Sequence, residues 1–312
     1  MHTTHRTGAL RTISLCLLVM LGMSTSSLFS IRMLGQDKEE NKEENKEEEK
    51  SDPKAMLIFG DAANFQNKKL YDIAIEDWKR LLKEYPTDPL AKKGQFFLGF
   101  CQMRQKELGL AATAFQLTLT NYKPFEFTEE AYFLLGWCRY TIAGQQQGDE
   151  QVTLLGESIK SLTEGITKYP KGPFADDALY YRGEAQYKLG DREAAIASYK
   201  QLVDNYAKSN MRSSGLYALG VTHEELKRDD IASTIYDLFL EEFPEDSLAS
   251  EIQLRKADTV LRGGKTEEAE RLFAAMVAKR WADCAARSED RQRAGAWRKV
   301  LRICTKRCAR AT

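Results

Sequence analysis

The stretch YYRGEAQYKLGDREAAIASYKQLVDNY, residues 180–206, decides the fold because its residue types recur along the chain at a fixed interval. Glycine recurs every 37 or 47 residues at Gly99, Gly136, Gly183 and Gly220, with alanine in register before and after. Aromatic residues keep the same intervals at Tyr85, Tyr122, Tyr169, Tyr206 and Phe243. In a third series, a small residue precedes a bulky one by four positions: Ala74/Trp78, Ala111/Phe115, Ser158/Leu162, Ala195/Tyr199, Ala232/Tyr236 and Ala269/Phe273. Three series in one register predict six copies of a single structural unit.

Each copy is predicted to be a hairpin of two helices. A spacing of four places Ala195 and Tyr199 on one face of the second helix, where the small residue admits a neighbouring helix. Gly183 does the same on the first helix, and Gly190-Asp191 marks the turn. One hairpin cannot bury its own apolar face, so we expect the copies to stack. The fold class predicted is all-α, a solenoid of period 37 over residues 55–280.

The third copy contains ten extra residues, GQQQGDEQVT at 144–153. Their composition predicts a longer turn between the two helices. Such loops are tolerated because closure entropy grows slowly with length. A segment that contacts a partner is the alternative interpretation.

These motifs resemble the tetratricopeptide (TPR) repeats, whose pattern is a leucine-glycine pair, then Ala-x-x-x-Phe, then proline. Leu98-Gly99, Leu135-Gly136 and Leu219-Gly220 match that pair, whereas Arg182-Gly183 departs at its first position. The period of 37 is similar to that of a bacterial envelope subgroup. This subgroup includes the Tol-Pal coordinator and the TPR lipoprotein of the outer-membrane β-barrel assembly machinery. The resemblance covers residues 55–278 and implies a right-handed superhelix.

The amino terminus is predicted to direct export. Residues 1–35 contain a basic head and a ten-residue apolar core, ISLCLLVMLG at 13–22, which is too short to span a bilayer. A cleaved signal peptide is favoured, and an uncleaved anchor is the alternative. Residues 36–54 are then an acidic Glu/Lys-rich linker, since DKEENKEENKEEEKSD has no apolar side chain to bury.

The basic tail, residues 281–312, breaks the repeat register. From Lys279 onward the chain has 11 basic and 3 acidic residues, and the aromatic and proline of the period are missing. Three interpretations fit: a helix that caps the solenoid, a basic helix on a membrane surface, or an aberrant terminus from a change of reading frame.

The candidate enzyme motifs in the sequence are incomplete. RGGKT at 262–266 lacks the first glycine of a phosphate-binding loop, since Thr259 holds that position. His223 is the only histidine after residue 5, so neither histidine triads nor histidine-rich metal sites are supported, and no cofactor is predicted. Lys+Arg and Asp+Glu balance at 46 each, which argues against a nucleic-acid binder.

We therefore expect a non-enzymatic scaffold for protein or peptide partners. The resemblance implies export to the periplasm or the periplasmic face of the outer membrane, with a role in outer-membrane assembly or envelope maintenance. Peripheral membrane contact would come through the N-terminal segment or the basic tail. A helical-repeat hydrolase acting on cell-wall glycans is the alternative, and it would need an acid and a base facing one cleft.

The predicted partner-binding groove follows from the resemblance, which implies that one face of each first helix receives partner segments. Residues three before, one after and four after each glycine share that face. The groove residues predicted are Phe96, Phe100, Met103, Phe133, Trp137, Tyr140, Tyr180, Tyr187 and Tyr217. The alternative is that much of this aromatic stripe packs against neighbouring helices.

Overall fold

The computed structural model describes residues 50–286, and side chains as far as residue 278. Regular structure in this part of the chain is entirely helical, which confirms the predicted fold class. In chain order the helices are α1 (Pro53–Asn67), α2 (Tyr71–Glu84), α3 (Ala91–Arg104), α4 (Leu108–Asn121), α5 (Thr128–Ala143), α6 (Gly148–Lys168), α7 (Ala175–Lys188), α8 (Arg192–Asn205), α9 (Arg212–Glu225), α10 (Asp229–Glu242), α11 (Ala249–Arg262) and α12 (Thr266–Ala286). The predicted signal or anchor, most of the acidic linker and the tail beyond residue 286 lie outside the described residues.

Consecutive helices pack as hairpins, from α1/α2 to α11/α12, and each hairpin packs against the next. The α8 helix illustrates how the sequence sets a boundary. It begins after Asp191, whose side chain accepts a hydrogen bond of 3.0 Å from the Ala194 N–H and so caps the first turn. The described helices therefore form the stacked array that the repeat predicts.

The glycine series marks points where neighbouring helices approach closely. A Cβ atom on Gly183 would lie 2.5 Å from the Tyr199 ring, and one on Gly220 would lie 2.4 Å from the Tyr236 ring. Both tyrosines are fully buried. Glycine on the first helix and the aromatic ring on the second are therefore two halves of one contact, which explains why the two series share a register.

The ten extra residues lengthen helices rather than a turn, so the expected longer loop is wrong. The α5 helix has 16 residues and α6 has 21, whereas both helices of the next hairpin have 14. Only residues 144–147 connect α5 to α6. Leu155, two residues after the insertion, is buried and packs with Tyr140 and Ala143, so tertiary packing supports the helix at the point where it extends back into this polar segment.

Left-handed backbone recurs seven residues after the glycine position in five hairpins. The residues there have φ between 59° and 85° and are Lys69, Lys106, Gly190, Lys227 and Gly264. Three are lysines, for which this conformation is strained, whereas glycine adopts it freely.

We expect Lys227→Gly to stabilise the protein by about 0.5–1 kcal/mol, since glycine relieves the strain at a helix end. Urea denaturation followed by circular dichroism measures the change. Gly190→Lys is the reciprocal control and should destabilise by a similar amount, because a Cβ there meets no atom within 4 Å and only φ matters. Equal stability of both variants with the parent would contradict the argument.

Candidate functional site

The predicted groove residues lie on the first helices of four consecutive hairpins, α3, α5, α7 and α9. The α5 helix contacts α7, and α7 contacts α9, in addition to the contacts within hairpins. Equivalent faces of these three helices therefore adjoin. Together they make a continuous surface that crosses the stack of hairpins.

Burial divides the predicted stripe into two groups. Four residues are buried: Phe96, Phe100, Met103 and Tyr140. Five are partly exposed: Phe133, Trp137, Tyr180, Tyr187 and Tyr217. The Phe96 ring lies 4.7 Å from the Phe127 ring and 5.7 Å from the Phe115 ring, so it belongs to the interior. The partly exposed rings on α5, α7 and α9 offer the surface that a partner could contact.

Phe133 and Trp137 are held by rings from the neighbouring hairpin. The Phe133 ring stacks on Phe174 at 5.6 Å and lies 6.0 Å from the Tyr181 ring. The Trp137 side chain lies close enough to Tyr181 to oppose the rise that burial causes in the pKa of its hydroxyl. Phe133 is thus held by ring contacts, Trp137 lies beside the same tyrosine, and part of each surface remains exposed, as suits an interface anchor.

Three tyrosines of the stripe also connect successive first helices, which the sequence did not predict. The Tyr140 hydroxyl donates to Glu184 at 3.3 Å, and the Tyr217 hydroxyl donates to Glu251 at 2.8 Å. The Tyr187 hydroxyl donates to a carboxylate on α9. These residues therefore stabilise the stack, and this part of the stripe has a structural role as the packing alternative expected.

Glu184 is a carboxylate of this surface that two tyrosines satisfy. It accepts hydrogen bonds from Tyr140 on α5 and, at 2.7 Å, from Tyr199 on α8. The Lys188 ammonium lies 4.1 Å from the centre of the Tyr140 ring. Burial raises the pKa of Glu184 despite these partners. The cluster joins the third hairpin to the fourth.

Two other carboxylates on the same surface differ from Glu184. Glu130 and Asp177 lie three residues before Phe133 and Tyr180, in the first turns of α5 and α7. Burial raises the pKa of each to about 7, and a neighbouring carboxylate, Glu129 or Asp176, raises it further. Within the described residues neither the Glu130 nor the Asp177 side chain has a hydrogen bond or an ion pair.

The corresponding surface of α9 and α11 is neutralised by arginine. Arg255 contacts Glu224 at 3.3 Å and Glu251 at 2.9 Å, while Arg262 contacts Glu224 at 3.1 Å. These ion pairs join Glu224 on α9 to the arginines of α11 and neutralise both glutamates within the chain.

Neither a metal site nor a spanning helix is found in the part of the chain that the structure describes. Residues 50–286 contain no group of three or more His, Cys, Asp or Glu side chains that could hold a metal ion. Their helices are all too short or too polar to cross a membrane.

Stacked helix hairpins, with glycine or alanine on the first helix and a bulky side chain at the matching position of the second, define the class as a TPR solenoid. The family model described as "outer membrane lipoprotein" (YfiO) matches residues 51–238, more than half of the chain. The chain belongs to this YfiO family of outer membrane lipoproteins. The resemblance to envelope TPR proteins is thereby confirmed.

Solved structures support the fold. A tetratricopeptide repeat protein from Parabacteroides merdae is 18% identical, with 82% of this chain and 89% of that chain covered at a TM-score of 0.52. MamA from Desulfovibrio magneticus RS-1, from residue 41 to its end, is 16% identical, with 64% and 100% covered at a TM-score of 0.51. At these identities the likeness concerns the fold alone. No curated protein matches the chain.

Proposed function

We propose that this protein is a non-enzymatic scaffold of the bacterial cell envelope that binds segments of partner proteins along the surface of α5, α7 and α9. The observation that carries the proposal is the row of partly exposed aromatic side chains on these adjoining helices, led by Phe133 and Trp137. Aromatic anchors held rigidly in place are the residues that dominate binding energy at protein interfaces. The residues predicted on α3, Phe96, Phe100 and Met103, are buried and lie outside this surface.

Its location is proposed to be the periplasm or the periplasmic face of the outer membrane, with a role in outer-membrane assembly or envelope maintenance. The family description and the export signal predicted for residues 1–35 support this location. Cell fractionation tests it, and recovery of the full chain in the cytoplasm would refute it.

The glycan hydrolase receives no support from the carboxylates of this surface. A glycosidase pair divides its work between a protonated acid and an ionised base or nucleophile, so the two environments shift the pKa values apart. Burial raises the pKa of Glu130 and Asp177 alike, to about 7 in both cases. This matched pair does not provide that division.

Photo-crosslinking in cells tests the proposed surface. A benzoylphenylalanine at position 137 should crosslink to specific envelope proteins that mass spectrometry identifies. The matched control is position 110 on α4, where Leu110 is an exposed apolar residue on a second helix, away from this surface. Equal crosslinking of the same proteins from both positions would refute the proposed surface.

We expect Trp137→Ala to weaken binding of a crosslinked partner by about 2 kcal/mol, or roughly thirtyfold in Kd, while the fold stays intact. Calorimetry measures the binding and a thermal melt measures the fold. Leu110→Ala is the control and should leave binding unchanged. If Trp137→Ala lowers the melting temperature and leaves binding unchanged, Trp137 is a core residue and the groove lies elsewhere.

A further inference from the structure

One position of the repeat, on the groove surface of each first helix, is occupied by residues of different charge in successive hairpins. It lies three residues before the first aromatic position of the stripe, so it shares that face of each first helix. From α3 to α11 the residues there are Lys93, Glu130, Asp177, Ser214 and Glu251. The two ends of this row are internally paired. Lys93 contacts Glu126 at 2.6 Å, and Glu251 contacts Arg255 at 2.9 Å.

The middle of the row has no such compensation. Glu130 and Asp177 have no cationic partner within the described residues, and the neighbouring charge that acts on the pKa of each is another carboxylate. Both side chains are partly buried. A carboxylate withdrawn from water without a counter-charge is unfavourable, and its ionised form gains most from any cation that arrives.

Aromatic surface adjoins these carboxylates. Phe133 lies one turn after Glu130 on α5, and its ring packs on Phe174 at 5.6 Å. Tyr181 lies one turn after Asp177 on α7 and interacts with its charge. A ligand seated here therefore meets apolar rings and negative charge together.

The corresponding surface of α9 and α11 shows which side chains neutralise carboxylates there. There Glu224 and Glu251 are met by Arg255 and Arg262 from α11 at 2.9–3.3 Å. On α5 and α7 this chain supplies no arginine or lysine to the equivalent carboxylates within the described residues. A positive charge is therefore what would neutralise the carboxylates of Glu130 and Asp177.

We propose that this section of the groove receives a partner segment in which lysine or arginine side chains alternate with apolar ones. The cationic groups reach the carboxylates of Glu130 and Asp177, and the apolar side chains pack on Phe133 and Trp137. The proposal rests on the proposed function, since it specifies the chemistry of a segment bound at that surface. Charge-assisted hydrogen bonds to these carboxylates select the basic segment over a neutral one.

Three sets of short synthetic peptides test the charge preference. The sets have the same leucine and phenylalanine content and carry lysine, glutamine or glutamate at the remaining positions. Fluorescence anisotropy with the full chain at pH 8 and low salt should give at least about tenfold tighter binding of the lysine set than of the glutamine set. The glutamate set should bind weakest. Equal affinities for the lysine and glutamine sets would overturn the proposal.

Matched variants locate the effect. Glu130→Gln combined with Asp177→Asn should bring the lysine set to within about twofold of the glutamine set. Asp176→Asn removes the same charge from the same turn of α7, one residue away from the groove face, and should retain most of the preference. A preference that survives in the double variant, or disappears equally in Asp176→Asn, places the charge recognition elsewhere. The double variant removes buried charge, so a thermal melt at pH 8 should show it folded.

A pH titration provides a second readout. The carboxyls of Glu130 and Asp177 have pKa values of about 7, so they are mostly ionised at pH 8 and mostly protonated at pH 6. Binding of the lysine set should therefore weaken as the pH falls through 7, whereas binding of the glutamine set should not. Glu129 and Asp176 are the neighbouring acidic groups, and Tyr181 stays neutral because burial raises its pKa to about 12. A lysine-set affinity that is constant between pH 6 and 8 would contradict the assignment.

The two proposals can fail separately. If Trp137→Ala weakens all three peptide sets and the sets bind equally, the groove is correct and its charge chemistry is wrong. If none of the sets binds the parent chain and Trp137→Ala leaves partner binding unchanged, the groove itself is wrong.

Discussion

Replacement of Trp78 by alanine is expected to destabilise the protein by about 3–5 kcal/mol, the range for a fully buried aromatic residue. Trp78 has no exposed surface. Its ring lies 5.0 Å from the Phe59 ring and 5.5 Å from the Phe97 ring, so it fills the junction of the first and second hairpins. The indole N–H donates to the Gln66 side-chain oxygen at 3.2 Å. Urea denaturation followed at 222 nm measures the loss.

The Trp78→Phe variant separates the volume of the ring from its hydrogen bond. It keeps most of the aromatic contact and should cost about 1–3 kcal/mol, through lost volume and the lost bond to Gln66. Because each hairpin contacts only its neighbours, the alanine variant should lose its amino-terminal hairpins in a separate early transition. A loss below about 1 kcal/mol for Trp78→Ala would refute the central packing role of this residue.

The fold could be predicted from the sequence because its repeated positions are packing constraints. Gly183 and Tyr199 must both be present for two helices to meet as closely as they do. The corresponding contact in each unit needs a small residue on one helix and a bulky residue on the other, so it appears at two positions of the repeat. Such constraints recur with the period of the structure and can be read from one sequence. The prediction of hairpins depended on these residues and was confirmed.

The length of α6 could not be predicted in the same way. Residues 144–153 are rich in glycine and glutamine, and their composition favours a loop. The helix extends into this segment because Leu154 and Leu155, directly after it, pack against Tyr140 and its neighbours. Local propensity is weak beside such tertiary contacts, which a single sequence does not display.

The positions of the stripe on the first helices could be predicted from the sequence, but the exposure of its residues could not. The spacing placed the aromatic residues on one helix face. The exposure of each ring, however, depends on which side chains of neighbouring elements pack over it. Phe127 and Phe115 cover Phe96, whereas Phe133 remains partly exposed. Glu130 and Asp177 were missed because charged residues on helices are usually solvated. Their equivalent positions in adjacent repeats, beside the aromatic stripe, were the available signal.

The Gly183→Leu variant is expected to lose about 1–3 kcal/mol, since it forces extra volume into a filled helix crossing. The first added atom, Cβ, would already lie 2.5 Å from the Tyr199 ring. That ring has no exposed surface, and its hydroxyl is held by Glu184 at 2.7 Å, so it cannot turn aside without breaking this bond. The strain therefore separates α7 from α8, and the urea midpoint should fall.

The same substitution at Gly156 is the matched control and should have the opposite sign. Gly156 lies within α6, is exposed, and a Cβ there would meet no atom within 4 Å. Leucine replaces glycine in a helix with a gain of about 0.5–1 kcal/mol when nothing obstructs it. The Gly183→Leu variant has the same propensity gain, so its net loss underestimates the steric cost by that amount. If both variants shift the urea midpoint in the same direction, close approach of the helices does not require glycine at position 183, and the glycine series of the repeat has another cause.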